Sequence, residues 1–125
     1  MYRVEVSPEG DSFKVKSKDY EFAIGVKGKG ITPPDALLAS LAGCLGVYLR
    51  KYAEGAKLNL NEFLITAEAE FTKEPPFSFK AIKVIIDLKG LALDERRQKA
   101  LLAFIGNCPV HNTLKASPEV EVKIL

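Results

Sequence analysis

The chain has 125 residues, 47% of them apolar and 27% charged, and 18 Lys or Arg against 16 Asp or Glu leave a formal charge of +2. Those values describe an ordinary globular protein, read as a single domain over residues 1–125 that completes its core alone or by dimerising, and they exclude a disordered chain. The small charge, with no Lys/Arg run interleaved with aromatics, argues against nucleic acid as a partner.

In chain order, "YRVEVS", "SFKVKS" and "YEFAIGV" place apolar residues at period two, which is a strand signal. Pro8-Glu9-Gly10-Asp11 supplies a turn between the first two, and Lys18-Asp19 a turn into the third. A three-stranded antiparallel meander is expected. "KGKGI" follows as a basic, Gly-rich stretch, expected to be a mobile linker. It is a weak phosphate-loop candidate because it lacks the Gly-Lys-Ser/Thr ending.

"TPPDALLASLAGCLGVYLRKYAEG" is the clearest helix. Thr32 suits the N-cap and Pro33 the first helical position, where no intrahelical N–H is needed. Asp35, three residues on, approximates a capping box and complements the helix dipole. Gly55 marks the expected stop. Leu37, Leu41, Cys44 and Tyr48 recur at three and four, and Leu38, Leu45, Leu49 and Tyr52 recur one step round. Such a helix is apolar over most of its circumference and calls for cover on most of it, from sheet or from a second subunit. Ser40, Gly43 and Gly46 leave room for close approach.

"LNEFLITAEAEFTK" and "FKAIKVIIDLKG" alternate again and predict two long strands joined through "EPPFS". "LDERRQKALLAFIGN" predicts a second helix that starts near Asp94, shows an apolar stripe of Ala100, Leu101, Phe104 and Ile105, and ends at Gly106. Pro109 can start a further short helix, which leaves Cys108 at or near its N-cap. "EVEVKIL" is expected to close the chain as a strand. The order is β-β-β-α-β-β-α-β, an α+β fold with a long buried central helix. "MYRVEVSPEG" carries no apolar signal segment, and Ala36–Leu49 is shorter than the about 20 residues that span a bilayer. A cytoplasmic location and no membrane partner are expected.

Reactive side chains are few: Cys44, Cys108 and one histidine, His111. Two cysteines in a cytosolic chain act more often as thiols, ligands or a redox pair than as a structural disulfide. Cys44 lies on an apolar helical face, where a free Cys commonly serves as a small hydrophobe; a reactive thiol there needs a cation or hydrogen-bond donors nearby. Cys108 has a better local setting, because unpaired N–H groups at a helix N-terminus favour thiolate. His111, one turn on, is open to three readings: a cation that lowers a thiol pKa, a general base, or a surface or capping residue. A structural zinc site wants four Cys or His ligands and the chain has three in all, so no metal is expected.

"TPPDALLASLAGCLGVYL", followed 64 residues after its cysteine (108 − 44) by "NCPVHNTL", resembles the OsmC/Ohr family of thiol-dependent peroxidases, over roughly Gly30 to the C-terminus. The resemblance implies an OsmC-like fold in an intertwined homodimer. It implies reduction of organic hydroperoxides, and of hydrogen peroxide in some members, by a two-cysteine, peroxiredoxin-like reductase. Cys44 would be the peroxidatic thiolate that becomes a sulfenic acid, and Cys108 the resolving thiol. An external dithiol or dithiol protein would restore both, with no organic or metal cofactor. His111 falls at a variable position of the family segment and is implied as local support. The family's activating Arg and Glu do not carry over: no Arg lies between Arg3 and Arg50, and the Glu position falls on Pro34. Arg3, Lys27 or Lys29 would then supply the cation and Asp35 the carboxylate. The alternative is a non-catalytic OsmC-like dimer that binds an apolar small molecule at the subunit interface.

Overall fold

The computed structural model describes all 125 residues. The chain forms two compact units, Met1–Ala39 and Ser40–Leu125, with the boundary inside the first helix.

The first unit is an antiparallel meander of β1 (Glu5–Glu9), β2 (Ser12–Ser17) and β3 (Tyr20–Ile24), in that spatial order. Glu9 pairs with Ser12 across Gly10-Asp11, and Ser17 with Tyr20 across Lys18-Asp19. Gly10 and Lys18 both take positive φ, +60° and +49°, the left-handed backbone that two-residue hairpin turns require. Pro8 sits on β1, an edge strand, where its missing N–H breaks no ladder.

The Gly-rich stretch after β3 is pinned rather than mobile. Ser12 Oγ lies 2.7 Å from the Lys27 carbonyl oxygen and 2.6 Å from that of Lys29, so its one proton is shared between them. Gly25 N–H donates to the Ile31 carbonyl at 3.0 Å, and Ile31 bridges back to Ile24. Gly30 makes this return possible. Its φ is +113°, and a Cβ there would lie 2.5 Å from Ala23 backbone atoms.

Helix α1 runs Pro33–Gly55. At its start the Thr32 hydroxyl donates to Asp35 Oδ2 at 2.8 Å and accepts the Asp35 N–H at 3.3 Å. Its end is closed by a pair of bonds, Leu58 N–H to Ala53 O and Lys57 N–H to Glu54 O. This is a Schellman closure, and the left-handed residue is Lys57 (φ +55°) rather than Gly55.

In the second unit, β4 (Leu64–Phe71) and β5 (Phe79–Asp87) form an antiparallel hairpin. In the connection between them, Ser78 N–H donates to Thr72 Oγ1 at 3.4 Å, and Phe71 stacks on Phe79 with centroids 4.6 Å apart. Helix α2 (Glu95–Ile105) is capped by Asp94, whose carboxylate accepts the Arg97 N–H at 2.8 Å. Helix α3 (Pro109–Ala116) follows at once. The core is the meeting of two helical stripes: Leu41, Leu45 and Leu49 of α1 against Leu101 and Ile105 of α2, with Cys108. Ile82, Val84 and Ile86, at period two on β5, and Ile65 on β4 pack against this cluster.

Two expectations differ from the single chain. Only one stripe of α1 is buried, and Leu37 and Val47 remain 40% and 52% exposed, because one chain covers one side. The terminal "EVEVKIL" forms no strand. A strand needs a neighbouring edge for its N–H and C=O groups, and no pairing is present, so Val120, Val122 and Ile124 stand open to solvent.

Candidate active site: two thiols at a helix start

The register of three helices brings the cysteines together. Cys44 is half-buried on α1, one turn after Leu41 and next to Leu45, and packs on the core cluster. Cys108 lies between α2 and α3 and is wholly buried. Both are free thiols, and Cys44 lies close enough to Cys108 to help push its thiol pKa up. A contact between residues 64 apart (108 − 44) is set by the α1–α2 packing and not by anything local to either cysteine.

Cys108 is the N-cap of α3, with extended-side backbone and Pro109 at the first helical position. Its N–H donates to the Ile105 carbonyl at 3.1 Å and its carbonyl accepts the Asn112 N–H at 3.0 Å. Its Sγ accepts the His111 N–H at 3.4 Å. The backbone thus surrounds the sulfur with the donors expected at a helix start.

The outcome for the proton is the reverse of the thiolate expected from that setting. Burial pushes the Cys108 thiol up from its ordinary range, and the neighbouring Cys44 pushes it the same way. The His111 and Val110 N–H groups pull it down but are outweighed. Loss of water disfavours the charged sulfur more than two neutral donors favour it. Cys108 is therefore held as a thiol.

His111 is half-buried, and its Nδ1 is enclosed without a hydrogen-bond partner. The remaining candidates lie in the first unit and have these partners. Arg3 Nη2 pairs with Glu5 at 2.7 Å on the exposed surface. Lys27 and Lys29 have exposed side chains and give their backbone carbonyls to Ser12. Asp35 is engaged by Thr32 in the cap of α1. Ser12, 7% exposed, was not singled out from the sequence. Its signal there was weak, a polar residue opening an alternating strand.

An open groove of about 350 Å³ is lined by Gly43, Gly46, Val47 and Arg50 of α1 together with Phe63 and Ile65. No group of three or more His, Cys, Asp or Glu side chains is gathered to hold a metal. No helix is long and apolar enough to cross a membrane.

The family model described as OsmC-like protein matches residues 26–123. This chain belongs to the OsmC-like family. The match takes in both cysteines, α1 and the chain after it as far as Lys123. Among solved structures, the chain is similar to an OsmC-like protein from Mycoplasma pneumoniae, with TM-score 0.78 and 22% identity over 92% of this chain and 87% of that one. It is also similar to the organic hydroperoxide resistance protein OhrB of Bacillus subtilis, with TM-score 0.66 and 18% identity over 92% and 90%. A third is an organic hydroperoxide resistance protein OsmC from Legionella pneumophila, with TM-score 0.64 and 20% identity over 92% and 89%. At these identities the likeness is one of fold. Among curated proteins none matches this chain.

Proposed function

We propose that this OsmC-like protein reduces organic hydroperoxides through its two thiols. The observation that carries the reading is the meeting of Cys44 and Cys108, both free, in one apolar cluster at the start of α3. Two of the solved relatives are named as organic hydroperoxide resistance proteins, which supports the same substrate class.

The chemistry balances as follows. The Cys44 thiolate attacks the outer oxygen of ROOH, the O–O bond breaks, ROH leaves after taking a proton, and Cys44 becomes a sulfenic acid. Cys108 sulfur then attacks the Cys44 sulfur, the S–O bond breaks, and a disulfide and water result. An external dithiol reduces the disulfide by exchange. The half-buried Cys44 suits the first role, because it must meet substrate. The wholly buried Cys108 suits the second, because it need meet only Cys44. A homodimer, in which a second subunit covers the open face of α1, belongs to the same proposal.

The test is turnover of an alkyl hydroperoxide with excess dithiol. Cys44→Ser is expected to abolish it. Cys108→Ser is expected to leave Cys44 trapped as sulfenic acid or over-oxidised. Full turnover by Cys44→Ser refutes the reading. One observation favours a second reading, a dimer that binds an apolar molecule: the groove lined by Gly43, Gly46, Val47, Phe63 and Ile65. Under that reading neither cysteine substitution affects ligand binding, and native Cys44 labels slowly.

A further inference from the structure

We infer that the reducing dithiol opens the Cys44–Cys108 disulfide at the Cys44 sulfur and that Cys108 leaves into the start of α3, an inference that rests on the peroxidase reading above. Thiol–disulfide exchange offers two sulfurs. The outcome turns on which one is reached and on which one leaves more readily.

Reach is decided by burial. Cys108 is wholly buried, whereas Cys44 is half-buried. An attacking thiolate approaches in line, from the side of the target sulfur opposite the leaving one. For Cys108 no side is open. Its backbone is also tied at both ends, since its N–H donates to Ile105 O at 3.1 Å and its carbonyl accepts the Asn112 N–H at 3.0 Å. Val110 and Leu114 of α3 pack on the same cluster. The sulfur therefore does not swing out without breaking the joint between α2 and α3. Cys44 is reached with α1 left as it is, and its neighbour Gly43 brings no side chain into the approach.

Departure points the same way. Cys108 is the N-cap of α3, and its Sγ accepts the His111 N–H at 3.4 Å. The Val110 N–H acts on the same sulfur. Such bonds strengthen as the acceptor gains negative charge, and a better stabilised thiolate leaves faster. Cys44 lies inside α1, whose backbone N–H groups are spent on the helix itself. Once it has left, Cys108 takes up a proton, because burial favours its thiol.

The exchange balances. The reductant's thiolate bonds to the Cys44 sulfur, the Cys44–Cys108 bond breaks, and its electron pair leaves with Cys108. The reductant's second thiol then attacks the reductant's own sulfur in the mixed disulfide, and Cys44 leaves. The dithiol ends as a disulfide, and its two protons pass to the two cysteines.

The experiment stops the reaction at the mixed disulfide. The Cys44–Cys108 bond is made in two ways: by a pulse of alkyl hydroperoxide quenched by desalting, and by diamide, which takes two hydrogens from a thiol pair. Mercaptoethanol is then added in excess, acid stops the exchange within seconds, and peptide mapping locates the adduct. In native protein the adduct is expected on Cys44, favoured over Cys108 by about tenfold or more. In denaturant, which exposes both sulfurs, the preference is expected to fall toward parity. An adduct on Cys108, an even split in native protein, or a preference that denaturant leaves unchanged overturns the inference. If peroxide makes no disulfide but the diamide product opens at Cys44, the peroxidase reading falls and the direction of opening stands. If neither oxidant links the two cysteines, both fall.

Discussion

Cys108 carries a proton that the fold prefers to keep, and that preference links the site to stability. Its folded value is raised by burial above the unfolded one. The folded chain therefore holds the proton over a range of pH in which the unfolded chain has lost it, and stability falls as pH rises through that range. The contribution is fully present below the unfolded thiol's value and lost as pH climbs through the folded one. Denaturation of wild type and Cys108→Ser across alkaline pH is expected to show a steeper fall for wild type, and equal slopes would show that burial does not govern this thiol. Cysteine identity and spacing were legible in the sequence, and so was the N-cap position of Cys108. The balance of burial against N–H donors was not, because it depends on how much of α1 and α2 closes over the sulfur. The same holds for Ser12, whose partners Lys27 and Lys29 lie far along the chain and are reached through their backbones.

Helix α1 shows what pattern does and does not reveal at the scale of an element. Its limits follow from local chemistry: Thr32 and Asp35 cap one end, and the proline pair begins the first turn. It ends at Gly55, as the sequence suggests, but the left-handed residue that closes it is Lys57, which no sequence signal marks. The repeat of Leu41, Leu45 and Leu49 at four fixes which stripe meets α2, and Leu49 is 1% exposed. Leu49→Ala is expected to destabilise the fold by about 2–5 kcal/mol through the cavity it leaves. Because this stripe also positions Cys44 against Cys108, the same substitution is expected to slow disulfide closure more than sulfenic acid formation. Chemical denaturation and the quenched peroxide pulse read the two effects separately. A loss under 1 kcal/mol would place the core elsewhere. The terminal segment illustrates the opposite case. "EVEVKIL" has strand alternation, but an alternating segment becomes a strand only when an edge is there to pair with it.

For the whole molecule, the family match over residues 26–123 and the likeness to solved OsmC-like structures define the architecture. The single chain leaves apolar surface on α1, with Val47 52% exposed beside the open groove, and on the terminal segment. Burying such surface is worth about 25 cal/mol per Å². A homodimer is expected by sedimentation equilibrium, and Val47→Asp is expected to shift it toward monomer. A monomeric wild-type protein at high concentration would refute the dimer. The all-round apolar character of α1 made this need for cover legible in the sequence. Which side of α1 the chain itself covers was not, since that depends on how α2 and the hairpin pack against it.

The most direct test is the intact mass of the native protein after a stoichiometric pulse of an alkyl hydroperoxide, followed by peptide mapping. The expected result is rapid loss of two hydrogens, mapped to a Cys44–Cys108 link. No change in mass, or slow oxidation confined to Cys108, would contradict the proposed chemistry and leave an OsmC-like fold whose two thiols serve only its core.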